Sequence, residues 1–464
     1  MGGIKMNYLR KKPLETTERP SNLKRELKTM DLILLGLGAI VGTGIFVITG
    51  TAAALTAGPA LILSFIIAAF SCTLSALCYA EFASRIPVSG GAYSYAYTVF
   101  GELIGWLIGW LMICEYLLAN ASVASGWSGY MNGFLDGLGL GLPVALRSSY
   151  NAETGAYVDL IAVLITFVVT YVVIQGAKKA LRLNNIMVFI KFGLIALFIG
   201  VGVFYVKPEN WTPFAPFGLN GVVSGAAVVF FAFLGFDAVS TAAEETKNPR
   251  RDVPRGIIGS LGIATILYII VTLVLTGIVP YAQLDIKDPV AFAIRFIGQD
   301  FIAGIISVGA ILTLLTVLIS MTYGLGRLVY AIGRDGLLPK KLSQVDPKTK
   351  SPKNATQVVG VVSAVLAGVV PLNKLAELTN IVTLLIFVII AIGIIKLRKD
   401  FGEPKEGEFK VPFVPIFPIV SVIVCVYLML QLSLSIWIAF LIWLTIGVVI
   451  YFIYGYKHSE LNQK

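Results

Sequence analysis

Two glycine-bearing segments and three ionisable side chains stand inside apolar runs that have no ordinary use for them. Gly36, Gly38, Gly42 and Gly44 fall within nine positions of the run Gly36-Leu37-Gly38-Ala39-Ile40-Val41-Gly42-Thr43-Gly44-Ile45-Phe46. Far downstream, Phe230-Phe231-Ala232-Phe233-Leu234-Gly235-Phe236-Asp237 carries a glycine and an acid at similar depth in another run. Glycine costs roughly 1 kcal/mol in a helix interior. It lets two helices pack closely, as in small-xxx-small contacts, or it lets the backbone open. An opened backbone frees N–H and C=O groups, each costing several kcal/mol in lipid, so the gap must line a cavity in the protein. The half-helix that starts at a gap offers free N–H groups and a positive dipole end, which suit a carboxylate. The half-helix that stops there offers carbonyls, which suit an ammonium. One broken helix supplies complementary ends for a zwitterion, and an α-amino acid carries those two charges at matching separation.

A charge inside a membrane span is expensive and marks a functional hypothesis. Lys191 follows Phe189-Ile190 and precedes Phe192-Gly193, about one and a half turns from the near end of its run. It either snorkels to the interface or serves the site. Glu115, in Cys114-Glu115-Tyr116-Leu117, is mid-run; it is either a structural carboxylate or a site residue that faces the substrate or shares a proton with Lys191. Asp237 reads as structural, capping or accepting from the second half of its broken helix. Glu81, Arg85, Glu244 and Glu245 lie near a mouth of the membrane region, as gate ion pairs or as surface salt bridges.

The elements that must position these residues follow from composition. The chain has 464 residues, 57% hydrophobic and 13% charged, whereas soluble domains have roughly a quarter of their residues charged. Its apolar runs repeatedly exceed the ~18–20 residues that span a bilayer. Twelve spans are expected, at 31–55, 59–85, 99–127, 157–176, 186–206, 221–244, 255–280, 299–327, 355–371, 378–396, 413–431 and 436–456. No apolar leader with a cleavage site is read ahead of the first span. Of the 36 lysines and arginines, thirty fall on the side of the N-terminus and five on the other, with Lys191 inside a span. By the positive-inside rule both termini face the cytoplasm. The net charge of +10 is therefore a topology signal that also meets anionic headgroups, not a nucleic-acid footprint. Cys72, Cys78, Cys114 and Cys425 lie in apolar runs and read as reduced packing residues. His458 is the single histidine and sits in the polar tail, so neither a metal site nor a histidine proton relay is expected.

The two interruptions stand in spans one and six, with Thr43 and Gly235 separated by 192 residues. Interruptions in corresponding positions of two halves point to the binding site of an inverted-repeat transporter. At these residues the sequence resembles the amino acid–polyamine–organocation superfamily, and within it the cationic amino acid transporter branch. The stretches that carry the resemblance are Gly38–Phe46, Gly58-Pro59-Ala60, Tyr79-Ala80-Glu81-Phe82 with Pro87-Val88-Ser89-Gly90-Gly91-Ala92-Tyr93, Gly235-Phe236-Asp237, Glu244–Pro249 with Pro254-Arg255-Gly256-Ile257, and Ala331–Gly336. The resemblance covers nearly the whole chain. It implies an all-α polytopic membrane protein of twelve transmembrane helices, a five-plus-five inverted repeat of the leucine-transporter type with helices 1 and 6 broken. Animal members of the branch often have fourteen spans; twelve matches the bacterial relatives. The expected units are a basic cytoplasmic segment 1–30, a first repeat 31–206, a second repeat 221–396, two added helices 413–456 and a cytoplasmic tail 457–464.

Carried over residue by residue, the resemblance implies that Thr43, Gly44 and Ile45 offer backbone amides to the substrate carboxylate. Ile40, Val41, Phe231, Ala232 and Leu234 offer carbonyls to its ammonium. Phe231 resembles the aromatic that closes the site as a gate. Lys191 is similar to a lysine that, in proton-coupled members, contacts the unwound part of helix one where sodium-coupled members hold an ion. A buried lysine of this kind can release and take up a proton, so proton coupling is expected over sodium. Met321 on span eight faces the substrate side chain, and with Phe231 leaves room for an alanine-sized neutral substrate. If Glu115 faces the pocket, a cationic substrate (arginine or lysine) is the alternative, and exchange is the alternative to symport.

The expected function is secondary active transport of amino acids across the cell membrane by alternating access. The expected partners are the amino acid, protons and membrane lipids. A small accessory membrane subunit is possible but leaves no mark in the sequence. No cofactor is expected. A channel would need a ring of polar residues or a repeated filter, and none is read. A sensor would need a domain to pass its signal on. An enzyme would need a nucleophile–base pair or a metal cluster in or between the spans.

Overall fold

The computed structural model describes residues 26–86, 91–175, 178–349 and 351–461, with side chains except at 178–185, Thr241 and Glu244. The basic residues 1–25, residues 87–90 of the motif above, and the side chains of Lys178, Lys179, Arg182 and Glu244 lie outside this set. Among the described residues the chain is helical, its only extended pairings being isolated bridges between Leu27 and Thr246 and between Asn151 and Ala156.

Among the described residues, eight helical stretches are long and apolar enough to cross a membrane: Gly44–Arg85, Glu102–Gly137, Ile186–Tyr205, Gly218–Ser240, Pro249–Ile278, Asp300–Arg334, Leu372–Phe401 and Leu434–His458. Four shorter apolar helices accompany them: Thr29–Ile40, Leu160–Ile174, Lys353–Val369 and Ile416–Leu430. In chain order the helices are α1 (Thr29–Ile40), α2 (Thr49–Ala52, between π-helical turns Gly44–Ile48 and Ala53–Ala57), α3 (Leu61–Arg85), α4 (Gly91–Phe100), α5 (Glu102–Gly137), α6 (Leu160–Ile174), α7 (Lys178–Gly202), α8 (Gly218–Val229), α9 (Ala238–Thr241), α10 (Pro249–Ile278), α11 (Pro289–Phe296), α12 (Asp300–Arg334), α13 (Lys353–Val369), α14 (Leu372–Phe401), α15 (Ile416–Leu430) and α16 (Leu434–Ile450).

Local chemistry explains several ends. Asp159 caps α6, its carboxylate accepting from the Ala162 amide at 3.1 Å. Gly402, at φ 77°, lets the chain leave α14 in the left-handed region. Several ends differ from the sequence expectation: α7 starts at Lys178 and not 186, α12 continues to Arg334 past 327, α14 covers Leu372–Phe401 and not 378–396, and the largest change surrounds α5. A separate helix, α4, precedes α5, and α5 runs on to Gly137, past the expected end at 127. The reason is tertiary. Although 128–137 is mixed in polarity, the Tyr130 ring is buried and its hydroxyl donates to the Phe46 carbonyl at 2.7 Å.

The helices pack in two groups. In one, α10 lies against α1 and α3, and α3 lies against α8. In the other, α5 and α6 each lie against α12 and α13. α7 touches α1, α10 and α12, while α14 touches α8, α3 and α5. Large apolar side chains such as Phe204, Phe301, Leu434 and Ile453 are exposed on the outer surface, while Ser64, Asn120, Thr322, Asn380 and Lys191 are buried. That inversion of the usual polarity is what a lipid solvent demands.

Candidate functional site

The site is built from two places where helices stop. α1 ends at Ile40, and Val41 is extended (φ −78°, ψ 94°). The Phe46 amide is the first to rejoin the ladder across the gap, donating to the Gly42 carbonyl at 3.2 Å. The amides of Thr43, Gly44 and Ile45 thus precede the first ladder bond, where helix N–H groups have no partner within the helix. The turn that follows is π-helical over Gly44–Ile48, a form found often at functional sites. The second stop begins at Val229, the end of α8. A 3₁₀ turn covers Phe230–Phe233, Leu234 is extended (φ −61°, ψ 141°), and α9 starts at Ala238.

The two stops touch each other. A Cβ on Gly44 would collide with the Cα and Cβ of Ala232. A Cβ on Gly235 would lie 2.9 Å from that of Ala39, and Gly235 holds φ at 107°, a conformation side-chain-bearing residues rarely adopt. Glycine is needed at both positions for close approach.

Ile40, Val41, Thr43, Gly44 and Ile45 lie at the first stop and Phe231, Ala232 and Leu234 at the second, all buried. The structure therefore brings these eight together. Lys191, 1% exposed, crosses from α7 and donates from Nζ to the Gly38 carbonyl at 2.7 Å. This is a buried contact to the end of α1 and not a snorkelling pose. Glu115 Oε1, on α5, accepts from the Thr383 hydroxyl of α14 at 2.8 Å. Met321 is partly buried on α12; Val317, one turn earlier, lies beside Gly42. Asp237 stands at the N-cap of α9 but its side chain makes no capping hydrogen bond, against the capping role expected from the sequence, because the residue is itself helical there (φ −66°, ψ −25°). The Thr43 hydroxyl is buried and has no hydrogen-bond partner among the described residues, which leaves it available to a ligand.

Several residues at the stops escape a sequence reading. Tyr268 of α10 places its hydroxyl 2.8 Å from the Ile40 carbonyl and 2.6 Å from the Ala232 carbonyl, spanning both stops. Asn380 of α14 donates from Nδ2 to the carbonyls of Ala227 and Val228 at 2.7 and 3.1 Å. The signal for Asn380 is a polar residue inside an apolar run; for Tyr268 there is none, because its partners are remote in sequence.

Away from the stops, two ion-pair clusters stand at opposite ends of the helices. Glu81 is fully buried and bidentate with Arg398 at 2.6 and 2.9 Å. It also accepts from the Val411 amide at 2.8 Å and lies 3.6 Å from Arg85. The sequence offered Glu81 and Arg85 as gate residues but not Arg398, and a surface bridge is excluded by the burial. Glu245 is exposed, and its backbone carbonyl accepts from the amides of Glu26 and Leu27 at 2.9 and 3.0 Å. Toward the other end, Lys287 donates to Ser125 and to Asp159, both at 2.9 Å, while Ser128 also bonds Asp159. Among the described residues no cluster of histidine, cysteine and acid side chains could hold a metal, and the four cysteines are free and buried.

Known proteins give this geometry a context. A family profile described as "Amino acid permease" matches residues 27–453. The chain belongs to the amino acid permease family. Among relatives of this permease, a methylthioribose transporter of Bacillus subtilis (strain 168) is 50% identical over 460 residues, covering 98% of this chain and all of the relative. The branched-chain amino acid permease BcaP of the same organism is 49% identical over 467 residues, 99% of this chain and all of the relative. Cationic amino acid transporter 4 of Mus musculus is 32% identical over 581 residues, 99% of this chain and 91% of the relative. The protein is thus an integral membrane transporter of the amino acid–polyamine–organocation superfamily, and not an enzyme.

Proposed function

We propose that this permease is a proton-coupled symporter of small neutral L-amino acids such as alanine, working by alternating access in the cell membrane with both termini cytoplasmic. The observation that carries the reading is the meeting of two helix stops through Gly44 and Ala232, and through Gly235 and Ala39. There, free amides at Thr43, Gly44 and Ile45 would take the substrate carboxylate, and carbonyls of Ile40, Val41, Phe231, Ala232 and Leu234 its ammonium. Phe231 would close over the bound solute.

The architecture proposed is twelve membrane helices: two repeats of five, 31–206 and 221–396, then two further helices at 413–456. Several observations support the repeat. α1 and α8 are both twelve residues long, and adding 189 to the bounds of α1 gives those of α8. The packing partners interchange under the same pairing. α1 lies on α10 as α8 lies on α3, and α6 on α12 as α13 on α5. α7 meets α12 and α1 as α14 meets α5 and α8.

Proton coupling is supported by Lys191, whose ammonium occupies the Gly38 carbonyl that a bound cation would otherwise need. The apolar Phe231 and Met321 support a small neutral side chain, and the relative named for branched-chain substrates agrees in polarity. A second reading, transport of arginine or lysine, is favoured by one observation: the buried Glu115 carboxylate is bonded to Thr383 of α14, a helix that packs on α8. Uptake into proteoliposomes decides among these. Labelled alanine, leucine and arginine should be offered under an imposed proton gradient and, separately, a sodium gradient. Alanine accumulation driven by protons and indifferent to sodium is expected. Accumulation driven by sodium alone sinks the coupling proposal, and arginine uptake equal to alanine sinks the small-pocket proposal.

A further inference from the structure

Lys191 and Asn380 make the same contact in the two halves. Lys191 Nζ reaches the carbonyl of Gly38, two residues before the end of α1; Asn380 Nδ2 reaches the carbonyl of Ala227, two residues before the end of α8. In each pair the donor stands 153 residues after its acceptor. Adding 189 to both members of the first pair gives the second. The donors come from α7 and α14, the fifth helices of the two proposed repeats.

We propose that Asn380 is the positioning residue of the second stop: a neutral amide that holds two of the last carbonyls of α8 where Lys191 holds the Gly38 carbonyl of α1 with a titratable amine. This rests on the repeat reading above. The physical need is the same on both sides. The last four carbonyls of a helix lack partners within it, and burial away from water leaves them short of donors: Val228 accepts from the Phe230 amide, and the Asn380 side chain reaches both it and Ala227. Asn380 is fully buried, and its amide spreads over two successive carbonyls, Ala227 at 2.7 Å and Val228 at 3.1 Å. Its own Oδ1 is buried without a partner among the described residues, so the donor side of the amide is what the fold uses. The chain then enters the 3₁₀ turn that carries Phe231 and Ala232. Loss of the splint lets α8 continue or fray, and moves these carbonyls away from the substrate ammonium. Because an amide does not titrate, the second stop keeps its shape while the first responds to a proton.

Two variants of the full-length transporter separate positioning from space filling. Asn380→Leu keeps the branched shape, fills at least the same space and removes both donors. Asn380→Ser loses volume and keeps one donor. Positioning predicts the order wild type, Ser, Leu in amino acid affinity, with KM for proteoliposome uptake raised at least tenfold in the Leu variant. Space filling predicts the reverse order. A second readout needs no substrate: hydrogen–deuterium exchange of the apo protein. The Leu variant should exchange at least tenfold faster in peptides covering 228–236 and at the wild-type rate in α12. A Leu variant that exchanges like wild type over 228–236, or that binds better than the Ser variant, overturns the assignment. Wild-type protein that fails to take up any amino acid sinks the transport reading instead, and leaves the exchange result to judge Asn380 alone.

Discussion

The two helix stops differ in what holds them open. At the first, a long basic side chain, Lys191, reaches the Gly38 carbonyl, and the stop continues into a π-helical turn. At the second, the short neutral Asn380 bonds two carbonyls, and the stop continues into a 3₁₀ turn and then a left-handed glycine. Both sets of contacts are buried, so each donor replaces water that the carbonyl would otherwise bond. The difference teaches which half of the site can switch. A buried amine is costly to keep charged, whereas a buried amide pays no such cost. In the proposed cycle the first stop senses the proton and the second only shapes the pocket.

The largest effect is expected where that asymmetry is removed. Lys191→Met deletes the titratable donor and leaves the Gly38 carbonyl buried without it. Proton-driven accumulation of alanine should fall to simple equilibration, while exchange of internal for external alanine persists. Full accumulation by Lys191→Met under a proton gradient would break the comparison, because the two donors would then be interchangeable props.

Gly235→Ala tests the fixed half and should come next. The new methyl would meet Ala39 at 2.9 Å in a backbone held at φ 107°. Strain of about 1–3 kcal/mol for the backbone and a similar overpacking cost are expected. Thermal unfolding in detergent should shift down by several degrees, and KM should rise more than tenfold. The residual uptake should keep the wild-type dependence on the proton gradient. A changed proton dependence would show that the second stop also takes part in coupling.

How much of this was legible beforehand depends on the residue. The stops themselves were, because clustered glycines at mid-depth are costly unless the backbone uses them, and Gly44 and Gly235 proved to lie at the contact between stops. Lys191 was legible because a charge in an apolar run is conspicuous. Asn380 left only the weaker signal of a neutral polar residue in an apolar run, and Tyr268 and Arg398 left none that names their role, since each acts on a group more than thirty residues away. Their roles depend on tertiary approach that periodicity does not encode. The same limit applies to α5, whose run-on to Gly137 rests on the buried Tyr130 reaching Phe46. Glu81 was legible as a charge near a mouth, but its depth follows from Arg398 and the Val411 amide arriving from α14 and the loop after it.

The smallest effect, and the sharpest for the comparison, belongs to Tyr268→Phe. The hydroxyl has one proton and faces two carbonyls, Ile40 at 2.8 Å and Ala232 at 2.6 Å. Only one of them can be the acceptor of a well-directed bond at a time. Removing the hydroxyl leaves a buried carbonyl short of a donor, at a cost of about 1–3 kcal/mol. If that cost falls on bound substrate, KM should rise roughly tenfold, since about 1.4 kcal/mol is a factor of ten. Hydrogen–deuterium exchange of Tyr268→Phe then tells which stop the proton serves. The shorter distance assigns it to Ala232, so exchange should quicken over 230–236 and stay near wild type over 40–46. Equal quickening over both segments would mean that the hydroxyl alternates between the stops. The two halves would then be linked through one proton at the point where they cross, and the second stop could not stay rigid while the first switches.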